Sequence, residues 1–177
     1  MESMIRTAKS EDLVWVQKIY DDIISYEEKN IKYTAFQANV YPVKKTAEKA
    51  LAGNSLYVCE KDHKICASMI INQSQPEEYK NIDWKHKFSE NEIMVIHLLC
   101  VSPSCYGMGL GRKMIEFAVQ EGKKCNCKAI RLDTGNQNIP AKSLYEKNGF
   151  TVAGMNHMSI GGLIEHSGHL FYEKMIY

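Results

Sequence analysis

The chain has 177 residues, the size of one domain that can bury a sizeable core without metal or disulfide staples. A net charge of +1, with Lys and Arg scattered, supplies no field for nucleic acid, and no apolar run approaches the roughly 20 residues of a membrane span. The start, Met-Glu-Ser-Met, carries no signal-peptide pattern, so a soluble cytoplasmic protein is expected.

In chain order, Ile5–Ala8 reads as a short first strand, and Ser10 with Glu11 and Asp12 as a helix start. Leu13, Val16, Ile19, Tyr20, Ile23 and Ile24 then recur on one helical face through Glu27. A second helix is predicted from near Pro42, a residue tolerated in a first turn, to Gly53-Asn54. The connection Tyr26–Tyr41 has no strong period and reads either as a substrate-gripping loop or as a solvated link. Ser55–Cys59 and Ile65–Ile71 are strands around the hairpin signal Lys61-Asp-His-Lys64, with His63 solvated on the turn. Residues 72–91 form a long polar segment carrying Trp84, His86 and Phe88, either disordered or covering an acceptor site.

Ile93–Val101 is too apolar for a surface loop and reads as a buried strand. Pro103 ends it, Gly107, Gly109 and Gly111 alternate, and Leu110, Met114, Phe117 and Ala118 open a helix running to about Gly122. A strand, a glycine loop and a helix in succession turn several N–H groups toward one space at the positive end of the helix dipole, which suits a pyrophosphate. The dinucleotide fingerprint does not fit, because it would need small residues where Arg112 or Met114 stand. A Walker loop does not fit either, because no hydroxyl residue follows Lys113. Beyond it, Ala129–Asp133 is a strand, Pro140–Lys147 a helix stopped by Asn148-Gly149, and Thr151–Ile160 with His169–Ile176 a hairpin around Gly161-Gly162.

Of the six cysteines, Cys59, Cys66, Cys100 and Cys105 lie in or beside apolar strands as small hydrophobes. Cys125 and Cys127 make a C-x-C with no second pair at zinc spacing, so no metal is assigned and a reducing compartment is expected.

Two motifs resemble the GNAT superfamily of acyl-CoA-dependent N-acetyltransferases. One is Val101-Ser-Pro followed by Tyr106, Gly109 and Gly111 at the positions of Arg/Gln-x-x-Gly-x-Gly/Ala, with Tyr106 a departure. The other is Asn138-Ile-Pro-Ala-Lys-Ser-Leu-Tyr-Glu-Lys-Asn-Gly-Phe150. The resemblance is best over Ile93–Phe150 and implies an α/β (α+β) GNAT fold over residues 1–177. That fold is a mixed central sheet of about six to seven strands, splayed at the acetyl-CoA site and flanked by about four helices. It implies acetyl-CoA as cosubstrate, a primary amine as acceptor and direct attack in a ternary complex. The rival reading is a catalytically silent acyl-CoA-binding regulatory module. Neither nucleic acid nor membrane is a partner, and a homodimer is left open.

By the same resemblance, the backbone of Leu99, Cys100 and Val101 holds the pantetheine amides. The loop Tyr106, Gly107, Met108, Gly109, Leu110, Gly111 and Arg112 receives the pyrophosphate. Asn138 caps its helix and contacts the CoA arm, and Tyr145 protonates the leaving thiolate. The base is not fixed in the family. His97 shares a face with Val101 and resembles a histidine of arylalkylamine N-acetyltransferases, whose second histidine position holds Val95 here. Glu92 is a second candidate, Glu27 and Glu28 are third, and Asp133 reads as a helix cap or structural carboxylate. No cysteine reads as a nucleophile, since Cys105 falls by the phosphates.

Overall fold

A computed structural model describes residues 3–177. The elements are β1 (Met4–Thr7), α1 (Leu13–Glu28), α2 (Lys44–Ala52), β2 (Leu56–Lys61), β3 (Lys64–Asn72), β4 (Ile93–Val101), α3 (Leu110–Lys124), β5 (Ala129–Gly135), α4 (Ile139–Lys147), β6 (Thr151–Ile160) and β7 (Ile164–Met175). The strands form one mixed, unclosed sheet in the order β1-β2-β3-β4-β5-β7-β6. The chain divides into two compact units, the first comprising residues up to Lys32, Phe36–Ile71 and Leu98–Met114, the second Tyr33–Ala35, Asn72–His97 and Ile115–Tyr177.

In the first unit, β1 and β3 both pair antiparallel with β2. The apolar face of α1 (Val16, Ile19, Tyr20, Ile23) packs with Ala47 and Ala50 of α2 and with Leu56, Val58, Leu98 and Cys100. The expected helix start appears as a 3-10 turn over Ser10–Asp12 that runs into α1. Asp12, not Ser10, receives the Lys9 N–H at 2.7 Å, and its carboxylate also takes two hydrogen bonds from Arg6. The second helix begins at Lys44, near Pro42 as expected, and Thr46 Oγ1 reaches back to accept from the Val43 N–H and fixes the first turn there.

In the second unit, β5 pairs antiparallel with β7 and β7 with β6. Strand β7 starts at Ile164, earlier than the predicted His169. Its polar stretch Glu165–Gly168 hides the period, yet His166 pairs opposite Met158. Residues 72–91 carry a 3-10 turn at Glu77–Asn81 and enter a second one, Glu90–Glu92, just before β4. Tyr79, Ile82 and Trp84 are buried against Phe171, Ile93 and Val95. The segment is bolted down by Arg131, which is stacked on the Trp84 ring. Its guanidinium donates to Glu173 Oε2, Gln75 Oε1 and the His86 carbonyl at 2.9, 2.8 and 2.9 Å.

Candidate active site

In the first unit, β4 ends in Leu98–Val101 with Cys100 buried, and burial followed by the Glu27 charge pushes its thiol well above the ordinary range, which disfavours the thiolate. The Ser102 N–H donates to the Cys66 carbonyl at 2.8 Å and a turn over Pro103–Cys105 redirects the chain. Gly107 and Gly109 then take φ of +77° and +71°, a left-handed geometry that L side chains rarely adopt, and a Cβ on either would meet nothing within 4 Å. Leu110 and Met114 are buried and anchor α3 from below. The result is a bare backbone loop with an open outer side, leading into a fifteen-residue helix whose first N–H groups lie outside its own ladder. Tyr106 and Met108 stand 48% exposed at its rim, with the Tyr106 ring edge-on to Tyr26 and its hydroxyl raised to about 12, chiefly by burial.

The first unit also holds an open cleft of about 230 Å³ beside α1, lined by Ile24, Glu27, Glu28, Lys32, Phe36 and neighbours. Glu27 is buried and Glu28 exposed.

In the second unit, the parallel register of β4 with β5 runs from Ile93↔Ala129 to Ile96↔Leu132, and both strands continue beyond it. Asn138 Oδ1 caps α4 by accepting from the Ala141 N–H at 3.3 Å. One turn on, Tyr145 is buried between Phe150 and Tyr172, each ring centroid 5.8 Å away.

A model of the acetyltransferase (GNAT) family matches residues 16–150. The chain belongs to that family. It is 36% identical over 66 residues to streptothricin acetyltransferase of Escherichia coli, and 32% identical over 59 residues to the uncharacterized N-acetyltransferase YvbK of Bacillus subtilis (strain 168). These stretches cover 37% and 33% of this chain and 38% of either relative. Among solved structures, a GNAT-family acetyltransferase from Streptococcus agalactiae 2603 superposes with a TM-score of 0.81 at 17% identity, over 98% of this chain and 95% of the other. YncA from Salmonella typhimurium, solved with acetyl-CoA, gives 0.68 at 16% identity over 99% and 94%. At these identities the structural likeness speaks for the GNAT fold.

The base candidates of this GNAT chain separate by environment. Glu92 is tied to Lys128 Nζ at 2.6 Å and accepts from the Ser89 hydroxyl, and these partners hold its carboxyl down to about 2, which makes it a poor proton acceptor. His97 Nε2 lies 2.7 Å from Asn72 Oδ1, which also accepts from the Ser74 N–H. The oxygen assignment is therefore fixed, Nε2 carries the hydrogen, and burial lowers the imidazole to about 4. Asp133 does not cap a helix, since Asn138 does. It is drawn instead into a cluster with Tyr79 and His169 that periodicity along β5 could not reveal. The one available sequence signal was a carboxylate inside the apolar strand 129–133.

Proposed function

We propose that the whole chain, residues 1–177, works as one acetyltransferase domain that moves an acetyl group from acetyl-CoA to a primary amine by direct attack while both are bound. The glycine loop carries this reading. Gly107 and Gly109 present backbone with open space on the side a β-carbon would occupy, next to the N-terminus of α3, and that is the chemistry of a pyrophosphate cradle. Acetyl-CoA supplies an acetyl thioester whose departing sulfur needs a proton. Tyr106–Arg112 bind the diphosphate, and the Leu99–Val101 backbone binds the pantetheine amides as an added strand would. Asn138 orders the first turn of α4. Tyr145 donates the proton to the sulfur, a task its phenol can perform from a buried, packed position.

For the acceptor, the cleft beside α1 sets the carboxylates of Glu27 and Glu28 among Ile24 and Phe36, an arrangement that favours a cationic amine on an apolar stem. The test is thiol release from acetyl-CoA across a panel of amines, alongside calorimetric titration of CoA. Turnover with a cationic amine supports the reading. CoA binding with no turnover across the panel would make the protein a silent acyl-CoA-binding module.

A further inference from the structure

The last turn of α1 carries a carboxylate that breaks the local rules of helix building. Val16, Tyr20 and Ile23 lie on the buried stripe of α1, and Glu27, one turn beyond Ile23, continues that stripe at 8% exposure. It also stands at the negative end of the helix dipole, beside Glu28, in a last turn that contains no basic residue. Dipole and desolvation both disfavour a carboxylate there, and a local rule broken in this way points to function. Glu27 lines the cleft of about 230 Å³ together with Ile24, Glu28, Lys32 and Phe36. The residue before it, Tyr26, meets Tyr106 of the glycine loop edge-on, with 5.6 Å between ring centroids. Cleft, loop and the end of β4 from Leu98 all belong to the first unit.

We propose that Glu27 is the general base, taking a proton from the ammonium of a primary amine whose apolar stem lies in the cleft against Ile24 and Phe36. The proposal rests on the acetyltransferase reading above. A Glu27 carboxylate oxygen accepts one proton from the ammonium nitrogen and frees its lone pair. That pair forms the N–C bond to the acetyl carbon, and the electrons of the C–S bond leave with sulfur. The nitrogen sheds a second proton as the sulfur takes one up. The products are the amide, the free thiol and a protonated Glu27, which returns its proton to solvent through the open cleft. Protons and charge balance, since one cation and one carboxylate enter and no charge remains until that release.

The need for a base follows from the acceptor. An alkylammonium ion titrates much like lysine, near 10.4, so only about one molecule in 2,500 has a free lone pair at pH 7. Glu27 faces the donor side as well as the cleft. Its charge adds to burial in raising both the Cys100 thiol on β4 and the Tyr106 hydroxyl, so it lies within electrostatic reach of the stretch assigned to pantetheine. Glu28 and Lys32 share the cleft, but Glu28 is exposed to solvent and Lys32 brings a positive charge, so neither takes the place of a sheltered carboxylate. Glu92 and His97 belong to the second unit and are not among the residues that line the cleft.

Linear primary alkylamines, from ethylamine to hexylamine, are the probes for a test. Glu27→Gln keeps the shape of the side chain and removes the proton acceptor. Its kcat at saturating amine should fall by on the order of 10²-fold at pH 7, with acetyl-CoA affinity at the wild-type value. The deficit should shrink toward pH 9, where about a hundred times more of the amine is neutral. A raised KM with full kcat would make Glu27 an electrostatic attractor, and a deficit equal at every pH would make it structural; either overturns the proposal. A second measurement uses the wild type alone and survives a variant that does not fold. With free CoA in place of acetyl-CoA nothing can be transferred, and an amine concentration that saturates turnover should shift the ¹³C carboxyl signal of Glu27. A signal that does not move, or a wild type that acetylates other amines but none of these, overturns the proposal and leaves the acetyltransferase reading in place. A wild type that binds acetyl-CoA yet releases no thiol with any amine overturns both.

Discussion

The Tyr79 hydroxyl donates to Asp133 Oδ1 at 2.8 Å, joining a phenol from the long connection after β3 to a carboxylate within β5. That bond favours the ionised carboxylate and so opposes the burial that raises it. Tyr79→Phe keeps the ring against Trp84 and Phe171 but removes the donor. The Asp133 carboxyl should then titrate above 6, as followed by its ¹³C carboxyl signal. A titration that stays in place would mean the Tyr79 hydrogen bond does not favour the ionised carboxylate.

Tyr145 should behave as a proton donor rather than as packing. Tyr145→Phe retains the contacts with Phe150 and Tyr172, so thermal stability and acetyl-CoA affinity should stay close to wild type. The kcat should drop by on the order of 10²-fold, the low end for acid catalysis, because the phenolic proton matters only as the sulfur leaves. Equal kcat in the two forms would reduce Tyr145 to a packing residue.

The glycine loop offers a clean and an unclean substitution. Gly109 sits at φ +71°, so any β-carbon there strains the backbone as well as crowding a ligand. Gly111 lies inside α3, where alanine improves helix propensity by about 1 kcal/mol. Gly111→Ala should therefore keep or raise the melting temperature while weakening CoA binding at least tenfold. A CoA affinity equal to wild type in a stabilised Gly111→Ala protein would remove the phosphate assignment from this end of the loop.

What could be read from the sequence was whatever depends on neighbours along the chain. The strand before Val101, the turn at Pro103, the alternating glycines and the Asn138 cap are local chemistry, and they appear where the spacing put them. Residues 72–91 looked featureless because Tyr79, Ile82 and Trp84 are diluted among polar residues, and only a partner surface at Phe171 makes them a core. The base candidates failed to sort for the same reason. Glu92 is neutralised by Lys128, His97 is oriented by Asn72, and Asp133 is lifted by burial, with Glu78 adding and the Tyr79 hydroxyl opposing. None of those partners is adjacent in sequence.

The Arg131–Glu173 pair should be the costliest polar contact in the second unit to break. Both side chains are nearly sealed, at 5% and 6% exposure, and Glu173 also meets His86 Nδ1 at 2.8 Å. Glu173→Gln preserves shape but leaves a guanidinium buried without its counter-charge, for which about 3–5 kcal/mol is expected. Chemical denaturation gives the total, and hydrogen exchange should show amides of residues 75–88 losing protection first. A loss below about 1 kcal/mol would mean that the aromatic contacts of Trp84 hold the segment without the ion pair.

The dependence of stability on pH follows from groups shifted in opposite directions. His97 and His169 are lowered from 6.5 to about 4, so each contributes stability that is present above pH 6.5 and is lost as pH falls through 4. Asp133 is raised from 3.8 to about 6, so its contribution is present below 3.8 and is lost as pH rises through 6. Each shift corresponds to roughly 2 kcal/mol once partial exposure is allowed for. Between pH 4 and 6 two histidines thus act against one carboxylate, and the wild type should weaken only gently on acidification. Asp133→Asn removes the opposing member. The variant should exceed the wild type by about 2 kcal/mol at pH 7, decline more steeply below pH 6, and meet the wild-type curve near pH 4, where Asp133 is protonated anyway. Guanidinium unfolding at pH 4, 5, 6 and 7 on both proteins measures the two curves. An Asp133→Asn protein less stable than wild type at pH 7 would show that the carboxylate is held by favourable contacts that outweigh the cost of its burial.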